Sequence, residues 1–126
     1  MDLQLKDKVA LVTGAGSQIG YGKAIAVTLA DEGCDIIAAD IDLKGAEQTA
    51  AAVEDLGRKS LAVKVDVTSQ PGIEDMVKKV LDRFGKIDIL VNNAGASSQL
   101  RPFIEMTEED WNFDIGINLY LSLIHI

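Results

Sequence analysis

Val9-Ala10-Leu11-Val12-Thr13-Gly14-Ala15-Gly16-Ser17-Gln18-Ile19-Gly20-Tyr21-Gly22 is the stretch on which the fold turns. It opens as a short β-rich apolar run and closes in glycines. Behind it, Ile25, Ala26, Leu29 and Ala30 share one face of a helix predicted from about Gly22 to Glu32, which Gly33 stops. A glycine-rich turn between a strand and a helix is where an open α/β sheet binds a dinucleotide. Glycine opens backbone conformations closed to other residues, and its missing side chain lets a pyrophosphate reach the N–H groups and positive dipole at the helix start. Tight turns often use glycine, so it is the position between strand and helix that gives this cluster its meaning.

The alternation continues outward. Asp35-Ile36-Ile37-Ala38-Ala39 reads as a second strand, and a helix from about Leu43 to Leu56 turns Ala46, Ala50 and Val53 inward before Gly57 ends it. Leu61 to Val65 makes a third strand. Thr68-Ser69-Gln70-Pro71 then starts a helix with a hydroxyl cap and a first-turn proline. Its stripe of Ile73, Met76, Val77, Val80, Leu81 and Phe84 has the spacing that packs a helix on a sheet, and Gly85 breaks it. Ile87-Asp88-Ile89-Leu90-Val91 is a fourth strand, with Asn92-Asn93-Ala94-Gly95 as the turn at its carboxyl end. After a loop to about Met106, Thr107-Glu108-Glu109-Asp110 caps a last helix. Strands alternating with helices predict a parallel sheet covered on both faces.

A length of 126 residues allows one domain, and a hydrophobic content of 48% supplies it with a core. The formal net charge is −8, with both signs scattered, which argues against nucleic acid because phosphate binding needs Lys and Arg gathered on one face. Cys34, the single cysteine, leaves no internal disulfide and fits a reducing compartment. Met1 to Lys8 has no signal-peptide stretch, and no segment approaches the ~20 apolar residues that span a bilayer. A soluble, cytoplasmic protein without a membrane partner is expected. His125 is the sole histidine, and no cluster of His, Cys and carboxylates points to a metal.

Asp40 closes the second strand about 20 residues beyond the glycine loop, the distance at which a carboxylate accepts hydrogen bonds from the adenosine ribose. An aspartate there repels the extra phosphate of NADP, and neither Ser17 nor Gln18 offers a compensating positive charge. NAD is the favoured cofactor and NADP the disfavoured one. Lys23 and Lys44, the nearest basic residues, read as solvated helix-surface groups.

With these residues in hand, the chain resembles the short-chain dehydrogenase/reductase family over nearly its whole length. The match rests on the Thr13-Gly14 glycine loop, on Asp40, on Asp66-Val67 after the third strand, and on Asn92-Asn93-Ala94-Gly95 after the fourth, the most specific of the four. The resemblance implies an α/β fold, a Rossmann-type doubly wound parallel sheet of strand order 3-2-1-4 with the carboxyl-terminal strands missing. It also implies that Gly14, Gly16, Ser17, Gln18, Ile19, Gly20 and Gly22 line the cofactor phosphates. Asp66 should bind the adenine amino group and Val67 line its pocket, while Ala94 and Gly95 lie along the cofactor and Asn92 braces the sheet. Without the resemblance, Asp66 is an ordinary turn residue and the paired asparagines a plain turn. Asn118 looks like the family's catalytic asparagine, which holds a water in the proton relay, and Trp111 reads as packing. The implied activity is NAD-dependent oxidation of a small-molecule alcohol or reduction of a carbonyl, in a homo-tetramer or homo-dimer.

The chain departs from the family pattern in three places. Gln18 stands where the loop's second glycine belongs, so anchoring on Gly20 and Gly22 implies two extra residues, a length that resembles the divergent enoyl reductases of the same superfamily. The Asn-Asn-Ala-Gly turn argues for the alcohol/ketone branch. The family's catalytic Tyr-x-x-x-Lys is absent: Tyr21 and Tyr120 are followed four residues later by Ile25 and Ile124. Residues 1–120 are therefore expected to form a partial dinucleotide-binding domain that is inactive alone. Leu121-Ser122-Leu123-Ile124-His125-Ile126 reads as a non-native tail resembling a sequencing adaptor. A non-catalytic dinucleotide-binding module and an enoyl reductase fragment are the alternatives.

Overall fold

The computed structural model describes residues 1–97 and 101–120, so the proposed tail at 121–126 lies outside the described residues. Along the chain run β1 (Val9–Thr13), α1 (Tyr21–Asp31), β2 (Asp35–Asp40), α2 (Leu43–Asp55), β3 (Ser60–Lys64), α3 (Gln70–Phe84), β4 (Ile89–Val91) and α4 (Glu108–Ile115). The strands form one parallel sheet in the expected order β3-β2-β1-β4. Every residue of β1 is buried, as a central strand covered on both faces must be. On one face Leu11, Ile37 and Val63 pack against Met76 and Val80 of α3. On the other, Val12 and Ile36 meet Ala26, Ala30, Ala46 and Val53, the alanines letting α1 and α2 lie close to the sheet.

The helix ends obey their local chemistry. Gly33, Gly57 and Gly85 take positive φ of 98°, 79° and 76° where the first three helices stop. The Ser69 hydroxyl accepts from the Gly72 N–H at 3.2 Å at the start of α3. Thr107 and Asp110 form a reciprocal capping box on α4.

Three details differ from the expectations. First, β4 begins at Ile89 rather than Ile87, because the Asp88 carboxylate accepts from the Val9 N–H at 2.8 Å while the Asp88 N–H donates to the Val9 carbonyl. Second, only Met76 and Val80 of the α3 stripe are fully buried, and Leu81 is 44% exposed. Third, the loop before α4 contains a 3₁₀ turn, Phe103–Glu105, whose Phe103 ring meets Trp111 edge-on at 4.9 Å, so Trp111 is a packing residue as read. Beyond α4, Gly116–Tyr120 is wound as π-helix. Among the described residues no helix is long and apolar enough to cross a membrane. Because the strands are parallel, the turns after Thr13, Asp40, Lys64 and Val91 all emerge at one edge of the sheet, where such folds place their ligands.

Candidate functional site

The glycine loop spans the gap from β1 to α1 under close steric limits. Gly14 has φ +67°, and a Cβ there would lie 2.9 Å from the Ala94 Cα. A Cβ on Gly22 would strike the Gly14 carbonyl, so Gly22 is the glycine that lets α1 seat on the strand. The loop is thus anchored at Gly14 and Gly22, the longer of the two lengths the sequence allowed. Gly20 is the N-cap of α1 and provides no side-chain cap to the first-turn N–H groups. Ser17 and Ile19 are exposed on the loop.

Asp40 reaches the loop from the end of β2. Its Oδ2 accepts from the Gly16 N–H at 2.7 Å and its Oδ1 from the Asp42 N–H at 2.9 Å. A Cβ on Gly16 would lie 2.7 Å from the Asp40 Cγ, so glycine is required for the carboxylate to stand there. A cavity of about 150 Å³ opens beside it, lined by Gly14, Asp40, Ile41, Asp66, Val67, Ala94 and Gly95 among others. Larger hollows, of about 560 and 420 Å³, lie along the β3 edge and outside α3, away from the converging turns.

Asp66 closes a turn and faces the cavity. Its Oδ1 accepts from the Thr68 hydroxyl at 2.6 Å and the Thr68 N–H at 2.9 Å, a turn-closing arrangement, and it also lines the cavity. The Thr68 hydroxyl, then the Thr68 backbone N–H, hold the Asp66 carboxyl below the usual carboxylate range.

The asparagine turn is tied to β1 by Asn93. Its N–H donates to the Thr13 hydroxyl at 3.1 Å, and its Nδ2 donates to the carbonyls of Thr13 and Gly14 at 3.0 and 3.3 Å. Asn92, one residue earlier, is exposed, and its neighbour Asn93 makes these bonds across to β1. Asn118 sits in the π-helical turn and grips the far end of the same segment. Its Nδ2 donates to the Ala96 carbonyl at 2.6 Å and to the Asp114 carbonyl at 2.9 Å, and its Oδ1 accepts from the Ala96 N–H. A Cβ on Gly95 would lie 2.8 Å from that oxygen.

The sequence reading missed a second set of contacts. Gln18 turns its side chain toward α2 and to Lys23, so Lys23 is a half-buried partner of the loop rather than a free surface lysine. Thr49, inside α2, is fully buried and donates to the Ala15 carbonyl at 2.6 Å. A threonine among alanines on a helix face was the available signal.

The short chain dehydrogenase family profile matches residues 8–125. The chain belongs to that family. It is 38% identical over 117 residues to the 3-oxoacyl-(acyl-carrier-protein) reductase of Thermotoga maritima, covering 93% of this chain and 46% of that protein. It is 46% identical over 117 residues to galactitol 2-dehydrogenase of Agrobacterium fabrum, covering 93% of this chain and 43% of the relative. Among solved structures, NAD+-bound xylitol dehydrogenase superposes with a TM-score of 0.88 at 35% identity, over 95% of this chain and 45% of that one. The chain thus spans a little under half the length of the relatives it matches, and it is part of an oxidoreductase family whose members bind a nicotinamide dinucleotide on this fold.

Proposed function

We propose that this short-chain dehydrogenase chain forms the cofactor-binding portion of an NAD-dependent enzyme that oxidises an alcohol, or reduces a ketone, in a small molecule. The reading is carried by the contact between Gly16 and Asp40, which sets a carboxylate beside the glycine loop and on the wall of the cavity that the converging turns enclose. A dinucleotide fits this frame. Side chains at Gly14, Gly16 and Gly22 would fill space the loop needs, and the first turn of α1 keeps its N–H groups without a side-chain cap. Gly14, Gly16, Ser17, Gln18, Ile19, Gly20 and Gly22 are assigned to the phosphates, Asp40 to the ribose, and Asp66 and Val67 to the adenine. Ala94 and Gly95 are assigned to the edge along the cofactor, and Asn92 to bracing the sheet beside them.

NAD is favoured over NADP because the Asp40 carboxylate would face the additional phosphate, while Ser17 and Ile41 bring no cation. When bound, NAD supplies the hydride acceptor or donor. The chain's own residues hold it: Thr13 and Asn93 fix the turn against β1, and Asn118 fixes Ala96. Asn118 is assigned to the proton relay, with its side chain held in place by the Ala96 backbone. Relatives named for galactitol oxidation and oxoacyl reduction, and a neighbour whose structure holds NAD+, support the alcohol/ketone class. Exposed Phe113, Ile115 and Leu119 around α4 suit subunit contacts in a dimer or tetramer, and a cytoplasmic setting is part of the same proposal. Calorimetric titration with NAD and with NADP tests it. NAD should bind and NADP bind more weakly; a folded sample with no affinity for NAD removes the reading.

A further inference from the structure

We propose that Gln18 is a positioning residue of the cofactor loop: its side-chain amide braces the lengthened loop against α2 and fixes the Gly16 carbonyl, on the residue whose N–H Asp40 grips. The inference rests on the proposed dinucleotide function: the Gln18 backbone keeps its place in the phosphate loop, and its side chain gains a task performed through other residues.

The Gln18 Nε2 lies 3.0 Å from the Gly16 carbonyl, 2.9 Å from the Gly45 carbonyl and 3.3 Å from the Thr49 hydroxyl, while its Oε1 accepts from the Lys23 ammonium at 2.6 Å. A glutamine amide has donors at one end and an acceptor at the other. The neighbours therefore fix its orientation, since a flipped amide would set its oxygen against two carbonyls and its nitrogen against an ammonium. Although Gln18 lies at the surface, its partners come from the loop, α1 and α2, which is the pattern of a brace and not of a solvated side chain. Its anchor is rigid: Thr49 is fully buried and itself donates to the Ala15 carbonyl. The surfaces are also fitted, because a Cβ on Gly45 would strike the Gly16 carbonyl. Gly16 is thus held on both sides, its carbonyl by Gln18 and its N–H by Asp40. Losing the amide frees the Gly16–Ser17 peptide to rotate, the Gly16 backbone and its N–H shift with it, and the Asp40 carboxylate loses its alignment toward a ribose diol.

The whole chain, wild type, Gln18→Ala and Gln18→Glu, decides this with two readouts. The first needs no ligand. The Gly16 N–H resonance of the wild type should lie downfield, as a charge-assisted bond to Asp40 requires, and should move upfield and exchange faster with solvent in Gln18→Ala. An unchanged Gly16 signal overturns the brace, whether or not the wild type binds NAD. Absence of NAD binding by the wild type would instead sink the functional reading. The second readout is calorimetry with ADP and 2′-deoxy-ADP. Gln18→Ala should lose roughly tenfold affinity for ADP and little for the deoxy compound. Equal losses for both ligands would mark a general loosening and overturn the assignment. Gln18→Glu sets a carboxylate against the carbonyls of Gly16 and Gly45 while keeping a partner for Lys23, so it should lose at least as much as alanine; wild-type affinity there also overturns it.

Discussion

Asn93 and Thr13 are joined by two hydrogen bonds, backbone N–H to hydroxyl at 3.1 Å and side-chain amide to carbonyl at 3.0 Å, and these tie the turn after β4 to the end of β1. The Thr13 hydroxyl also accepts from the Ala94 N–H at 3.0 Å and faces the Val91 carbonyl at 3.3 Å, so one buried oxygen organises the turn. Thr13→Ala leaves two backbone donors without this partner, and a loss of about 1–3 kcal/mol in urea unfolding is expected. Thr13→Ser keeps the oxygen and should recover most of it. If alanine and serine proved equally stable, the hydroxyl would not be the organising group.

Asp40 has two tasks in this arrangement. It holds the Gly16 N–H and is proposed to receive the ribose, and both need the charged carboxylate. Asp40→Ala should weaken NAD binding roughly ten- to a hundredfold, the range for losing bonds to a charged group, and should narrow the gap between NAD and NADP because the repulsion goes with it. Calorimetry that finds NAD affinity unchanged takes Asp40 out of the site.

The glycines divide by what surrounds them. Gly22 and Gly45 each sit where a Cβ would strike a loop carbonyl, whereas the space around Gly57 is empty although its φ is +79°. Gly22→Ala and Gly45→Ala should cost about 1–3 kcal/mol through overpacking and disturb cofactor binding. Gly57→Ala should cost about 1–2 kcal/mol from left-handed strain alone and leave binding untouched. Paired melting and titration experiments separate the two, and weakened binding by Gly57→Ala would contradict the division.

The frame of the molecule is legible in the sequence because its signals are local. The run from Val9 to Val12, the glycine stops and the capping residues each declare themselves within a few positions, and alternation of strand and helix then leaves a parallel sheet. What could not be read depends on distant partners. Gln18 meets Thr49, 31 positions away, and no periodicity announces it. Asn93 reaches the Thr13 carbonyl, 80 positions earlier. β4 starts late because Asp88 turns to Val9, 79 positions earlier. The site was legible as a set of turns, and its bracing contacts required the fold.

Acid should reach the Asp66 turn late. The Thr68 hydroxyl and N–H hold the Asp66 carboxyl below its ordinary value, so its folded-state pKa is depressed. A depressed carboxyl contributes stability that is present above the unfolded value of about 3.9 and lost as pH falls through the folded one. The wild type should therefore lose stability on acidification from about pH 4 downward, and Asp66→Asn should be less stable at neutral pH with a shallower slope in that window. Thr68→Val should flatten the same slope from the other side of the bond. Parallel pH–stability curves for wild type and Asp66→Asn would show that this carboxyl is not linked to folding.

Self-association follows from what lies uncovered beside β4. Among the described residues β4 pairs only with β1, leaving its other edge open, and strand edges with apolar flanks template contacts between chains. A groove of about 260 Å³ runs next to it, lined by Leu11, Ile73, Met76, Val77, Ile87 and Leu90, and Leu90 and Leu81 are 46% and 44% exposed. The isolated chain should therefore associate in a concentration-dependent way in sedimentation velocity. Leu81→Glu, on the outer side of α3, places a charge near the groove at little cost to the fold, since the position is already half open to water. It should shift the distribution toward monomer. A wild-type chain that sediments as a single monomer and melts cooperatively at high concentration would mean that the open edge and groove are tolerated, and the expectation fails.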